Sequence, residues 1–324
     1  MPLYLFRVAA RALLALMLGM ATTAASAGPL NPPAGPVAPT YKTLGELEPR
    51  TPVGSTTTPG DSACLYRITQ PGSYYLTGNI IGEAGKHGII IAADGVTLDL
   101  NGFRLIGASD TLNGISMPQF RVNVVIRNGH VLGWGGSGIQ SRIDAGRIEG
   151  VTACSNGGWG IDNAVSGTFT THITGCEAID NAQGGIRGST VSLIDHCVTR
   201  NNGGFGISVG RASIVTGCTS ALDIGGISTD LGSTIRGNNI YGARTADGHG
   251  IRAIGESNRI EDNHIAFCGG AGIRTEAGNN FIVRNTARSN TPNYNFSGTQ
   301  VAGPIITGAT PIADSISPWA NFAW

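Results

Sequence analysis

The sequence predicts an all-β chain wound into a single-stranded right-handed parallel β-helix, a solenoid of about 9–11 rungs. Three observations predict it. A Gly-Ile pair recurs through the chain, with isoleucines at Ile89, Ile115, Ile139, Ile161, Ile186, Ile207, Ile227, Ile251 and Ile273. The intervals are 26, 24, 22, 25, 21, 20, 24 and 22 residues, the range that marks a solenoid. Between the pairs lie short alternating runs such as Val96-Thr97-Leu98-Asp99-Leu100 and Ser213-Ile214-Val215, separated by Asn-Gly, Gly-Gly and Asn-Asn turns. Such runs are too short and too β-branched for helix. Finally, 50 glycines accompany 41 % hydrophobic and only 13 % charged residues. Disorder goes with low hydrophobicity, so this composition fits a repetitive fold. Leucine-rich repeats share the period but need a leucine signature that is absent.

The elements follow in order. Residues 1–27 read as a signal peptide, with Arg7 and Arg11, an apolar run from Ala12 to Ala21, and Ala25-Ser26-Ala27 before the cleavage point. The run is shorter than the about 20 apolar residues of a membrane span, and no later segment spans a bilayer. The mature protein is therefore expected to be secreted, periplasmic or on the cell surface. Residues 28–60 form a Pro-rich linker and N-terminal cap, with a helical turn expected within Tyr41 to Pro49. Residues 61–298 form the coil, and 299–324 a tail that folds over the far end or along a side. The right-handed sense follows from the preference of parallel connections.

Polar repeats fit the same frame. Asn156, Asn181 and Asn202 each stand five residues before a Gly-Ile isoleucine and predict a stacked asparagine ladder at a turn. Cys154, Cys176, Cys197 and Cys218 are spaced 22, 21 and 21 residues apart. Stacked side chains pointing the same way suit a disulfide poorly, so a buried thiol ladder is expected. No Cys-x-x-Cys or paired Cys/His spacing supports zinc, and no metal site is assigned. With a formal net charge of zero and no basic stripe, the composition excludes nucleic acid as a partner. The oligomeric state is not legible.

The segments Ile68 to Leu76 and Gly95 to Phe103, with Pro318-Trp319-Ala320-Asn321-Phe322 in the tail, resemble secreted bacterial β-helix repeat proteins of the pectate-lyase-like superfamily. That resemblance covers roughly Cys64 to Asn295 and implies a carbohydrate-facing role. The superfamily holds lyases, hydrolases, epimerases and binding proteins, and fold alone does not choose among them. Asp247-Gly248-His249-Gly250-Ile251-Arg252 and Ser228-Thr229-Asp230 resemble part of the polygalacturonase pattern, but the adjacent aspartate pair of that pattern is missing. Lyases of the group use acidic residues, often with Ca²⁺, and an Arg or Lys base.

Strand alternation places the residue after each isoleucine outward: Gln140, Asp162, Arg187, Ser208, Ser228, Arg252 and Arg274. Arg142, Ser189, Asp230 and Glu276 are expected two positions further on. Trp159, Phe205 and His249 are expected near the edge of this face, where rings stack on sugar. Asp230, His249 and Arg252 are the catalytic candidates. Arg142, Trp159, Asp162, Arg187, Phe205, Arg274 and Glu276 are the substrate-binding ones. A solvated solenoid face explains the same residues. With no complete catalytic set, the reading is polysaccharide binding or a cell-surface structural role. The alternative is a polysaccharide lyase or glycoside hydrolase acting on an acidic polysaccharide. No cofactor is assigned, and Ca²⁺ enters only with the lyase alternative.

Overall fold

Each rung of the coil is built from three short strands joined by three corners. In one rung these strands are Phe205–Val209, Ile214–Thr216 and Thr219–Ala221. Every strand pairs in parallel with its equivalents one rung before and after, as Ile207 does with Ile186 and Ile227. The computed structural model of the chain describes residues 48–163, 168–308 and 316–324. The expected signal segment, most of the linker and most of the expected helical turn lie outside the described residues. Among the described residues there is no helix, and so none long and apolar enough to cross a membrane.

Side one of the coil is an eleven-stranded parallel sheet running from Cys64–Ile68 to Tyr294–Phe296. Sides two and three share longer strands such as Val125–Leu132, which bend across the corner between them. The fold is thus the right-handed parallel β-helix that the period predicts. All nine Gly-Ile isoleucines are 0 % exposed and fill the bore, each burial contributing about 1.5–3 kcal/mol. The first pairing comes from Thr51–Pro52, which joins Gly72–Tyr75 ahead of the repeat. At the far end the tail supplies a last strand, Asn321–Ala323, paired with Thr286–Arg288 and Ile305–Thr307.

The corners explain the polar residues inside. At each corner one residue takes a left-handed backbone, as do Ala212 (φ 51°), Gly217 (φ 63°) and Leu222 (φ 56°) in a single rung. That twist turns the next residue inward and takes its N–H out of the strand pairing. A buried N–H must find an acceptor. It finds one in the side chain at the same position of the next rung. One corner carries Asn156, Asn181 and Asn202, whose backbone and side-chain amides donate to the following side chain at 2.8–3.1 Å. The expected asparagine ladder is therefore present. It ends at Asp223, whose carboxylate accepts from Asn202 N, Asn202 Nδ2, Thr199 Oγ1 and Ser220 Oγ.

A second corner carries Cys176, Cys197 and Cys218, then Asn238, Asn263, Asn285 and Asn321. The third carries Ser192, Ser213 and Ser233, then Asn258, Asn280 and Gln300. All six cysteines are free thiols. Hydrogen bonding to the neighbouring sulfur, reinforced by burial, raises the thiols of Cys197 and Cys218 far above their ordinary range, so they behave as small apolar fillers. Cys154 corrects the expected thiol ladder. It pairs in register with Ile179, three positions past Cys176, and faces outward from side three. The local repeat is 25 residues long, as Ile161 to Ile186 shows, so a 22-residue spacing misses the ladder.

Candidate polysaccharide-binding face

The outer surface of side one carries the predicted row. Gln140, Asp162, Arg187, Ser208, Ser228, Arg252 and Arg274 occupy one register line across successive rungs. The second expected row does not form. The strands end within one or two residues of this line, and the chain then turns. Ser189 is consequently buried, and Arg142 is exposed between the short strands Ile139–Gln140 and Ile143–Asp144. Asp230 lies just past the end of Gly225–Thr229, two positions beyond the residue in register with Arg252. Its carboxylate accepts from Arg211 Nε at 3.1 Å. The structure therefore does not bring Asp230 to His249 and Arg252.

Large rings alternate with glycines at the position before Gly-Ile. Trp159 is in register with Gly184, and Phe205 with Gly225. A Cβ on Gly184 would stand 2.5 Å from the Trp159 ring, and one on Gly225 2.5 Å from the Phe205 ring. Each ring thus occupies the space above the glycine of the next rung. Arg187 completes the first cluster. It holds Asp162 through two bonds of 2.8 and 2.7 Å, and its guanidinium lies 5.0 Å from the Trp159 ring centroid. Two parallel bonds fix both the guanidinium and the carboxylate in place.

The second cluster lines a shallow cavity of about 290 Å³ formed by Asp247, His249, Arg252, Arg274 and Glu276. Glu276 accepts from Arg252 Nε at 2.9 Å and lies 3.6 Å from Arg274 Nε. Those two cations stand on adjacent rungs, and Glu276 offsets their repulsion. The bond from Arg252 holds the Glu276 carboxyl below its usual range. His249 is 6 % exposed, and its Nδ1 accepts from the Ala271 N–H at 2.9 Å. Burial, reinforced by Arg274 and Arg252, lowers its pKa, so the ring is neutral near pH 7 and its hydrogen sits on Nε2. Nε2 is 3.3 Å from Arg274 Nη1. Both groups are then donors, and together they present N–H to an acceptor placed in the cavity.

Asp247 heads the Asp247-to-Arg252 segment but is not among the candidate site residues that the sequence offers. Its signal is the repeat length: Ile207 to Ile227 takes 20 residues, whereas Ile227 to Ile251 takes 24. The excess forms a turn closed by Gly248 N donating to Thr245 O, and Asp247 stands on it. Among the described residues, no group of three or more His, Cys, Asp or Glu side chains is placed to hold a metal ion.

No protein-family model matches the chain, and no curated protein matches it. Among solved structures, it is similar to the catalytic unit of a thermostable GH87 α-1,3-glucanase from Streptomyces thermodiastaticus strain HF3-3. The likeness covers 78 % of this chain and 61 % of that one, at 14 % identity and a TM-score of 0.31. The chain thus spans less than two thirds of that protein, and a likeness this distant assigns no substrate and no residue role.

Proposed function

We propose that the outer face of side one binds polysaccharide on an exported protein, and that it holds the polymer without cleaving it. One observation carries this reading: two of the three carboxylates there, Asp162 and Glu276, are tied to arginines, and Asp247 alone does not make the acid and carboxylate pair that cleavage needs. Glycoside hydrolysis needs a carboxylic acid that keeps its proton near neutral pH and a second carboxylate at a set distance. Glu276 is instead held ionised by Arg252, and Asp162 is gripped by Arg187. The carboxyl whose pKa burial raises is Asp223, which faces the bore and meets no substrate. What remains outside suits adhesion: Trp159 and Phe205 as ring platforms, and Arg187, Arg252, Arg274 and His249 as donors to sugar oxygens.

The cluster of Asp247, His249, Arg252, Arg274 and Glu276 in one cavity favours a second reading, a lyase or hydrolase acting on an acidic polysaccharide. Both readings are tested together. Mature protein is run through gels containing acidic or neutral polysaccharides, and the same polymers are sized after incubation with and without Ca²⁺. Retardation with unchanged polymer length is the expected result. Shortened polymer overturns binding alone, and ultraviolet absorbance of the products then separates lyase from hydrolase.

A further inference from the structure

Side three carries a feature unrelated to that face. Its outward positions on five consecutive rungs are Ile81, Ile106, Leu132, Cys154 and Ile179, each in register with the next. Ile81 is 60 % exposed, and the other four are half-buried. At about 4.8 Å per rung, the stripe is about 20 Å long. The outward positions of side two on neighbouring rungs carry Arg127, Arg147, Glu149 and His172 instead, and on side three the stripe itself stops at Arg200. Apolar residues contiguous along one face, rather than scattered singly, are what an interaction site exposes.

Beside the stripe runs a second register line, Arg104, His130, Thr152 and Glu177. Its ends are an exposed cation and an exposed anion, three rungs apart. Neither has an ion-pair partner among the described residues of its own chain. The line is therefore antisymmetric in charge about a point between His130 and Thr152.

We propose that this side pairs with a second copy of the chain, the two coils antiparallel about a two-fold axis parallel to the strands. The operation sets Arg104 against the partner's Glu177 and Glu177 against the partner's Arg104. It also sets Ile106 against the partner's Ile179 and Leu132 against the partner's Cys154, while Ile81 falls against the partner's Arg200 at the rim. A self-complementary patch of this sort is what a two-fold interface requires. A two-fold axis running along this charge line, with the coils parallel, would instead set Arg104 against the partner's Arg104 and Glu177 against the partner's Glu177, which is repulsive.

The test is the mass of the full chain in solution across a concentration series, for the wild type and three variants whose changes lie on exposed side chains. A doubling of the monomer mass is expected for the wild type. Arg104→Glu and Glu177→Arg should each weaken it by more than about tenfold, because each creates two like-charge contacts. The double variant Arg104→Glu/Glu177→Arg should restore it, and labelling of the Cys154 thiol should slow as the dimer forms. A monomer at every concentration overturns the proposal, as does a dimer that neither single exchange weakens.

Discussion

The asparagine ladder and the outer face of side one are built on the same period, yet they use it in opposite ways. At the ladder position Asn156, Asn181 and Asn202 repeat one residue because each must present the same acceptor to the same buried N–H. On the face, register equivalents change from Asp162 to Arg187 to Ser208 to Arg252. Water satisfies an outward side chain whatever its identity. Repetition along the coil therefore marks what the backbone requires, and variation marks where the surface is open to other uses.

Substitutions should break this contrast in a defined order. Asn202→Ala removes two acceptor contacts to Asn181 and two donor contacts, to Ala178 O and Asp223 Oδ1. It should cost about 4 kcal/mol in urea unfolding, while the folded fraction keeps its polysaccharide affinity. Arg252→Ala/Arg274→Ala should do the reverse. Its unfolding free energy should change by no more than about 0.5 kcal/mol, and retardation in polysaccharide gels should fall by more than about tenfold. If the double variant unfolds easily, or binds as before, the division between ladder and face fails.

Asp223→Asn sharpens the comparison, since it makes the ladder uniform. An amide keeps the Oδ1 acceptor and turns its NH₂ toward the Thr199 and Ser220 hydroxyls, which can rotate to accept. Burial raises the Asp223 pKa, so the folded chain takes up that proton more readily than the unfolded one. The charged form is thus a liability at neutral pH that acid relieves. The variant should be more stable by about 1 kcal/mol near neutrality, with the gap closing as pH falls through the raised value. Glu276 has the opposite sign. Its folded pKa is lowered, so its ion pair contributes fully above the usual carboxylate range and is lost only as pH falls through the lowered value. Comparing Glu276→Gln with wild type across acid pH should show a small difference that disappears in that window.

Much of this was legible in the sequence, and the failures have a common origin. The Gly-Ile period gave the bore because isoleucine is needed there on every rung, and the Asn spacing gave its corner for the same reason. Cys154 misled because its spacing from Cys176 matches neighbouring rungs while the local repeat is three residues longer. Asp230 misled because alternation was carried past the last residue of Gly225–Thr229, where the chain turns toward Arg211. The serine ladder went unseen because Ser192, Ser213 and Ser233 pass into Asn258 and Asn280, a change of residue at constant geometry. Spacing identifies a position only when the lengths of all three arcs of a rung are known.

The carboxylate at the foot of the asparagine ladder also bears on how such a chain can lengthen. Every asparagine above it accepts hydrogen bonds from one neighbour and donates them to the next, so a copied rung placed there would find a donor on one side and an acceptor on the other. Asp223 receives only. A 21-residue duplication spanning Asn202 should therefore be absorbed as one more coil turn, whereas a copy of the Asp223 rung would stack two acceptors and leave a buried gap in the relay. That single side chain marks the rung at which a copied turn would lose its hydrogen bonds.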